Sequence, residues 1–436
     1  MTSGIAQLPG AQDGAARDVL RAHGYQVGDI QALARNQDPF AVRVPRRKAT
    51  IAPGMVFQAR TVELGGGCFT NVFTLTCDLD QVAVKVVSAV DGFHLRDLIP
   101  ATAQAAVSGS FSFISDDPVY QPAEPSLDFA CRGGQVMSLP TASKSAFLVH
   151  RGMPSIRTLL TAGTLNAAGR TYRWSGSKAR HSHACLEPGE LTVFGASNCR
   201  IRYSDHPRTG FTRDVDQSTN ITPPDPSAID YVVTWSPQGG HRVASVHPGG
   251  GADLFAGNFI LRAGACGARD LQEGTKVAIT QVAGADAEHL DCGVSLGPSV
   301  ADAAAGLTSA YDECLGTSPF RETRTARTLI GLSERQLTFQ VLDGAPLTAA
   351  FRGATPKETA ALCTLAGFDP RSIYHLDGGQ SSKIAFTEKA ETQVVGSMHY
   401  LQWPHSPTEP FRWQGLHGRI LRNAFAIRSN QPEGAQ

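Results

Sequence analysis

Residues 353–382 read GATPKETAALCTLAGFDPRSIYHLDGGQSS, a stretch that predicts a helix, a short strand and a turn of small residues in succession. Thr355 is a good N-cap, Pro356 suits the first helical position, and Glu358 completes a T-x-x-E capping box. Gly367 is a natural stop for this helix. The predicted apolar stripe of the helix consists of Ala361, Leu362 and Leu365.

The turn Asp377–Ser382, which follows the predicted strand SIYHL (372–376), contains two adjacent glycines and two adjacent serines. Gly378 and Gly379 expose backbone N–H groups without side-chain obstruction, which suits the approach of an anionic oxygen. The two serines add hydroxyl donors. This turn is therefore the most informative candidate for a functional site in the sequence.

Strand-like runs surround this unit. Apolar or alternating segments rich in Val, Phe and Thr recur at a spacing of about ten residues, separated by Gly or Asp turns. They are MVFQARTVEL, NVFTLTCDL, QVAVKVVSAV, YVVTW, NFILRAG, KVAITQVA and LTFQVLDG. Together with the helix, these runs predict an α+β fold, mixed and β-rich.

Composition divides the chain into three parts. Residues 1–50 contain two short amphipathic patterns, ARDVLRAHG and DIQALARNQ, and the basic run RVPRRK, so we expect a small helical N-terminal extension and a basic linker. The basic run is also a candidate docking arm for an anionic partner. Residues 51–425 are predicted to form one large catalytic domain with a long surface loop at about 204–228. Residues 426–436 are expected to form a C-terminal tail.

The 436 residues carry 39 Lys and Arg against 39 Asp and Glu, so the formal net charge is zero. This balance argues against a nucleic-acid binder that neutralises many phosphates, although it is compatible with a local basic patch. No membrane span is expected, because no run of about 18 apolar residues occurs, and the N-terminus lacks the pattern of a secretory signal. Nine cysteines without a CxxC pair indicate reduced, mostly buried thiols and a cytoplasmic location. Neither a metal nor another cofactor is expected.

Four motifs follow one another between residues 324 and 386. They are Arg327–Gly331 (RTLIG), Asp343–Gly344, Gly353–Glu358 (GATPKE) and Leu376–Ser382 (LDGGQSS). In order and spacing they resemble the phosphodiester glycosidase family, which includes N-acetylglucosamine-1-phosphodiester α-N-acetylglucosaminidase. Members carry R-T-x-x-G, a strand with D-G, a helix starting G-A-(S/T)-x-x-E, and N-L-D-G-G-G-S-S. Weaker similarity, including AAVSGSFSF at 105–113, extends the resemblance over about 52–425.

Three positions depart from the family pattern. Ser108 stands in place of the Asn of N-G-x-F-F, Gln380 in place of the third Gly of the turn, and His375 in place of the Asn before L-D-G-G. Serine reaches less far than asparagine toward a sugar hydroxyl, and His375 adds a titratable group near the candidate acid. These changes fall in the expected pocket and therefore bear on substrate identity.

The resemblance implies cleavage of the bond between a sugar's anomeric carbon and a phosphodiester oxygen. Such a transition state places positive charge on the ring and negative charge on the departing phosphate. Arg327 would stabilise the phosphate through bidentate hydrogen bonds, and Asp377 would act as the acid/base or stabilise the oxocarbenium ion. The expected substrate-binding residues are Ser108, Gly109, Asn198, Thr328, His375, Gly378, Gly379, Ser381 and Ser382.

Each assignment has a purely structural alternative. Asp377 would cap its own Gly-Gly turn, and Arg327 would pair with Glu322 or Glu334 on a sheet face. The serines would be turn or N-cap hydroxyls, since no G-x-S-x-G elbow surrounds them. The histidine before the turn would be a core residue, and Asp343 would belong to a turn rather than act as a second carboxylate.

We therefore predict a glycosidase-type hydrolase that cleaves the anomeric C–O bond of a glycosyl-1-phosphodiester or related sugar phosphate. Its partner would be a small-molecule or glycan substrate bearing a phosphodiester, not a nucleic acid. One alternative is a biosynthetic or effector enzyme that transfers the glycosyl group from the same pocket, suggested by the missing signal peptide. Another is a non-catalytic protein that binds a sugar phosphate or nucleotide sugar, suggested by the three departures.

Overall fold

The computed structural model describes much of the chain downstream of residue 42. The described residues are 43–113, 119–179, 189–204, 212–265, 267–308, 324–344, 351, 353–397, 401–402, 412–413 and 419–431.

Strands dominate the described part of the chain, with 51% of its residues in strands and 10% in helices. Those before residue 160 are β1 (Arg47–Ala52), β2 (Met55–Glu63), β3 (Phe69–Asp78), β4 (Val82–Phe93), β5 (Ala105–Ser108), β6 (Ala130–Arg132), β7 (Gln135–Ser138), β8 (Ser145–His150) and β9 (Met153–Thr158). The next are β10 (Ala162–Ala167), β11 (Arg170–Gly176), β12 (Glu190–Phe194), β13 (Ile201–Ser204), β14 (Thr212–Val215), β15 (Ile229–Ser236), β16 (Gly240–Pro248), β17 (Phe259–Ala263), β18 (Lys276–Val282), β19 (Ala285–Asp286) and β20 (Leu290–Ser295). The last are β21 (Arg327–Leu332), β22 (Gln336–Leu342), β23 (Ile373–His375), β24 (Lys383–Glu388), β25 (Glu391–Gly396), β26 (Leu401–Gln402), β27 (Arg412–Trp413) and β28 (Leu421–Ser429).

The predicted α+β fold with a small helical N-terminal extension is wrong, because the molecule is strongly β-rich. Within the described ranges the α-helices are α1 (Val300–Ala304) and α2 (Pro356–Leu365), both short beside the sheets. The helical part of the prediction rested on one well-capped helix, whereas the repeated alternation of apolar residues produces the strands that dominate the structure. The predicted N-terminal helices fall on 1–42, outside the described residues, and the basic run expected as a linker leads directly into β1.

The local prediction of α2 is confirmed. Thr355 Oγ1 accepts a hydrogen bond from the Glu358 amide (3.1 Å), and Glu358 Oε2 accepts one from the Thr355 amide (2.9 Å). Gly367, with φ of +82°, follows the helix end. The predicted stripe is partly wrong, because Leu362 is buried but Ala361 is exposed and Leu365 is 78% exposed. The helix therefore packs on a narrower face than its sequence indicated.

Two antiparallel sheets pack face to face around the first core. One has the strand order β1-β2-β3-β22-β21-β23 and the other β25-β24-β5-β28-β4. The ring of Phe57 in the first sheet is tilted against that of Phe386 in the second, with centroids 4.5 Å apart, and the ring centroids of Phe339 and Phe425 are 5.1 Å apart. β23 is an edge strand of the first sheet and β21 is its neighbour, whereas β5 is the middle strand of the second sheet and β24 lies beside it. The ends of these four strands meet at one edge of the packed sheets.

The remaining strands form a second core. An eight-stranded sheet has the order β10-β11-β12-β17-β15-β16-β18-β19, with a further β10–β18 pairing. A five-stranded sheet, β7-β6-β20-β8-β9, lies between the two cores, since Phe147 and Val149 of β8 join the first core while Leu148 joins the second. Two-stranded pairs, β13-β14 and β26-β27, complete the described topology, and β14 falls inside the predicted long loop.

The six cysteines in the described part of the chain are all free and buried. They are Cys68, Cys77, Cys131, Cys199, Cys292 and Cys363, whereas Cys185, Cys266 and Cys314 lie outside the described residues. Across those same ranges, no helix has the length and apolar character needed to cross a membrane.

Candidate functional site

The candidate site lies where three strand ends meet the turn that follows β23. β5 ends at Ser108, β21 begins at Arg327, and β23 ends at His375. The amide of Asp377 donates a hydrogen bond to the carbonyl of Gly109 (3.0 Å), which ties the turn to the residue after β5. Residues separated by more than 200 positions in the sequence are therefore held at one edge of the two packed sheets.

Ser108 links the two sheets at this edge. Its Oγ lies 3.3 Å from Thr328 Oγ1 and accepts a hydrogen bond from the Lys383 amide (3.2 Å). All three residues are buried. The hydroxyl of Ser108 is therefore engaged with protein atoms. The serine side chain, shorter than the asparagine of the family pattern, lies in the interior below the site and does not project into it.

Gly109 occupies a position that no larger residue fits. Its amide donates to the carbonyl of Asn423 (3.1 Å), and a Cβ built here would lie 1.9 Å from Asn423 Oδ1. Since Asn423 is itself buried, and its Nδ2 donates to the Ser112 and Ser126 hydroxyls, it has little room to move.

We expect Gly109→Ala to lower the free energy of unfolding by about 1–3 kcal/mol, as overpacking of a tight interior does. Urea unfolding measures the change. Gly195→Ala is the matched control, because a Cβ there meets nothing within 4 Å and the backbone is extended. Equal stability of the two variants would contradict the close packing of Gly109 against Asn423.

Asp377 is held by its own turn. Its Oδ2 accepts a hydrogen bond from Ser381 Oγ (2.6 Å), and the side chain is half-buried. The amide of Gly379, whose φ is +61°, donates to the Ala326 carbonyl (2.7 Å). The Gly378 amide has no protein acceptor among the described residues. Of the two glycine amides predicted to face a ligand, only that of Gly378 is therefore available.

Ser382 and Asp343 extend the polar cluster below the turn. Ser382 is buried, and its Oγ has no hydrogen-bond partner within the described ranges. Its carbonyl accepts from the Ser397 amide (2.8 Å), and Ser397 Oγ donates to Asp343 Oδ1 (3.2 Å). Asp343 also accepts from the amide of Gly344 (2.7 Å). This buried carboxylate is thus connected to the site through one serine.

Arg327 is a buried cation at the start of β21, and its guanidinium points toward the segment before α2. Its Nε donates to the carbonyl of Ala354 (2.8 Å), which fixes the guanidinium at the start of β21. Burial lowers the pKa of Arg327 to about 10, against the opposing effect of the Glu358 carboxylate. The side chain therefore remains cationic at neutral pH.

The ion pair on the adjacent surface belongs to a different arginine. Arg324 binds the Glu358 carboxylate through Nε (3.2 Å) and Nη2 (2.5 Å). Glu334, one of the two partners considered for Arg327, is exposed, and Glu322 lies outside the described residues. Arg324 thus compensates the capping glutamate at the start of α2.

His375 is buried on the face of its sheet that packs against α1 and α2, because its register partner Leu329 belongs to the apolar cluster there, whereas Tyr374 and Leu376 face the first core. Burial, reinforced by the charge of Arg327, moves the pKa of its imidazole well below the usual range. Its amide donates to the Pro298 carbonyl (3.0 Å), and its carbonyl accepts from the Gly297 amide (2.8 Å). At neutral pH this histidine is therefore a neutral group within the packed edge of the site.

Lys383 is a residue that the sequence analysis missed. It is 0% exposed, and its Nζ donates to the carbonyl of Arg419 (2.7 Å). Burial, followed by the charge of Arg419, lowers the pKa of Lys383 to about 7, while the Asp377 carboxylate acts in the opposite direction. The available signal was a lysine that opens the apolar run KIAF directly after the D-G-G turn.

Asn198 is not brought to this cluster. It ends a short turn after β12, where its Oδ1 accepts from the Gly195 amide (2.9 Å) and its Nδ2 donates to Ser177 Oγ (2.7 Å). Its side-chain amide is thus engaged with protein atoms, and its contact with a sugar hydroxyl stays a prediction. The other expected site residues do gather at the edge described above.

Three or more His, Cys, Asp or Glu side chains close enough to hold a metal ion are not found in the described part of the chain. The titratable side chains placed at this edge include those of Asp377, Arg327 and Lys383, and the hydroxyls of Ser108, Thr328, Ser381 and Ser382 lie at the same edge.

This fold has been seen before. A hypothetical protein from Synechocystis has a similar solved structure, with a TM-score of 0.51 and 14% identity over 88% of this chain. The match spans 64% of that protein's own length. A protein of Burkholderia pseudomallei, named as a candidate exported protein, aligns with a TM-score of 0.48 and 20% identity over 83% of this chain and 74% of its own. The Synechocystis structure supports the fold alone.

No protein-family model matches the sequence, and no curated protein does.

Proposed function

We propose that the protein is a glycosidase-type hydrolase that acts at the anomeric C–O bond of a glycosyl-1-phosphodiester or related sugar phosphate. The observation that supports this most is that the turn of Asp377 lies against the start of β21, where the Gly379 amide donates to the carbonyl of Ala326, the residue before Arg327 (2.7 Å). A cation and a carboxylate supplied by these two adjacent segments would match the opposite charges that develop on phosphate and sugar ring in such a transition state.

Arg327 is proposed to stabilise the departing phosphate. Its guanidinium is oriented by the Ala354 carbonyl and stays charged at neutral pH, as a phosphate-binding arginine requires. The Gly378 amide supplies a further donor next to it. Because a phosphodiester oxygen is already a weak base, electrostatic stabilisation does more for this leaving group than proton transfer does.

Asp377 is proposed to stabilise the ring cation and to accept a proton from the attacking water. Water oxygen forms the new bond to the anomeric carbon, and the electron pair of the broken C–O bond leaves with the phosphate. The hydrogen bond from Ser381 Oγ holds the carboxylate in one orientation during this step. Lys383 contributes positive charge in the vicinity of Asp377 when it is protonated.

Hydrolysis in ¹⁸O-labelled water tests this proposal. The protein is incubated with a panel of glycosyl-1-phosphodiesters and nucleotide sugars, and products are analysed by mass spectrometry at early times. Label in the released sugar, corrected by a parallel incubation of the free sugar, is the expected result because water attacks carbon. Label in the phosphate would mean attack at phosphorus and would overturn the proposal.

The same experiment separates the two alternative functions. Glycosylated acceptor without labelled sugar would establish transfer. Binding of a nucleotide sugar without any product across the panel would establish a binding protein.

A further inference from the structure

The outer face of the six-stranded sheet carries an open groove of about 890 Å³. It lies between β1 and the C-terminal end of α2, on the side of the sheet opposite the Phe57 core. Six polar side chains define what we call the basic groove: Arg46, Lys48, Gln58, Arg60, Thr74 and Gln340.

Strand register places four of these side chains in one row. Lys48 pairs with Gln58, Gln58 with Thr74, and Thr74 with Gln340 across β1, β2, β3 and β22. Neighbouring strands are about 4.8 Å apart, so the row extends over about 14 Å. Gln340 is buried at the floor, where its Nε2 lies 3.4 Å from Thr74 Oγ1. The row thus offers amide and hydroxyl groups to an elongated ligand.

Within the described ranges, no carboxylate neutralises three cations of the groove. Arg46, Lys48 and Arg60 are exposed and take part in no ion pair with the described residues, whereas Arg47 pairs with Glu388. In a chain whose net charge is zero, this is a local concentration of positive charge. Such a surface attracts an anion.

We propose that the basic groove binds an acidic glycan. Amides and hydroxyls arranged across four strands match the hydroxyls of successive sugar rings, and the separated cations match carboxylate or sulfate groups spaced along a chain. Phe368, at the rim, is the single aromatic residue among the described residues that line the groove. A single-stranded nucleic acid would need several aromatic platforms for its bases.

Residues 1–42 of the chain itself complement the positive charge of the basic groove less well than an acidic glycan does. Residues 1–42 contain four aspartates and three arginines, a net charge of −1. An acidic glycan carries charge on most of its rings and therefore complements three cations better. The proposal is independent of the chemistry at Asp377, since the groove lies on the outer sheet face.

Fluorescence anisotropy with labelled hexagalacturonate and a labelled heparin hexasaccharide tests the proposal on the full chain. At least one should bind, and Lys48→Gln/Arg60→Gln should weaken that binding about tenfold or more. The salt dependence of the dissociation constant should become less steep by about two counterions at most. Arg200→Gln/Lys276→Gln, which removes two exposed charges elsewhere, is the matched control and should bind like the unmodified protein.

Circular dichroism and unfolding midpoints verify that all variants are folded. The proposal is overturned if neither acidic hexasaccharide binds, or if both double variants weaken binding equally. It is also overturned if a single-stranded oligonucleotide of equal charge binds more tightly than either glycan. Deletion of residues 1–42 that raises glycan affinity more than tenfold would identify that segment as the groove's resident ligand instead.

Discussion

Replacing Asp377 by asparagine should reduce turnover of a glycosyl-1-phosphodiester by about 100- to 10 000-fold. The amide keeps the size of the carboxylate and can still accept the hydrogen bond from Ser381, so the turn should retain its shape. What it loses is the negative charge opposite the sugar ring and the ability to take a proton. Substrate affinity, measured by calorimetry with the inactive variant, should change less than about threefold.

Two further variants show whether a loss of turnover is specific to the Asp377 carboxylate. Ser381→Ala removes only the hydrogen bond that orients Asp377 and should cost about tenfold in turnover, less than loss of the carboxylate itself. Asp286→Asn, an exposed carboxylate on β19, should leave turnover unchanged. Unchanged turnover in Asp377→Asn would mean that this aspartate only caps its Gly-Gly turn and that the proposed role is wrong.

Local signals in the sequence were sufficient to predict α2 and the strand and turn that follow it. The cap at Thr355, the proline after it and Glu358 act within four residues, so no tertiary contact is needed to recognise them. The exposed Leu365 is the exception, because the side of a helix that becomes buried depends on which sheet it meets. A helix cap is encoded by neighbouring residues, whereas the face of the helix that becomes buried is determined by tertiary contacts.

The fold class was not predictable from the same signals. Strand pairing joins β3 to β22 and β5 to β28, segments that lie more than 250 residues apart in the chain. Alternation of apolar residues indicated strands but not how many sheets they would form or which would stack. The single clear helix led to the prediction of a mixed fold, although it is a small part of the structure.

The candidate site likewise contains residues that short motifs identify and residues that only tertiary packing brings to it. Residues 375–382 and Arg327 were recognised through short motifs, and pairing of β21 with β23 brings them together. Asn198 was chosen from a weaker resemblance, and its side chain completes a local turn instead. Lys383 was missed because burial of a lysine follows from packing of β24 between β5 and β25, which no sequence window contains.

Lys383→Met should stabilise the protein at neutral pH, and the gain should shrink as the pH rises. The pKa of Lys383 is about 7 in the fold, against 10.5 ordinarily. Below pH 7 the lysine is charged in both folded and unfolded states, and burying that charge costs up to about 5 kcal/mol. Between pH 7 and 10.5 the unfolded state binds more protons, so stability of the unmodified protein rises with pH.

Urea unfolding of both proteins at pH 6.5, 8 and 9.5 measures this difference, with the exposed Lys276→Met as control. The advantage of Lys383→Met should be largest at pH 6.5, reduced by about 1 kcal/mol for the lost hydrogen bond to the Arg419 carbonyl. A difference independent of pH would contradict the lowered pKa. A buried charge that costs stability beside Asp377 is expected of a functional group, so the more stable variant should also turn over substrate more slowly.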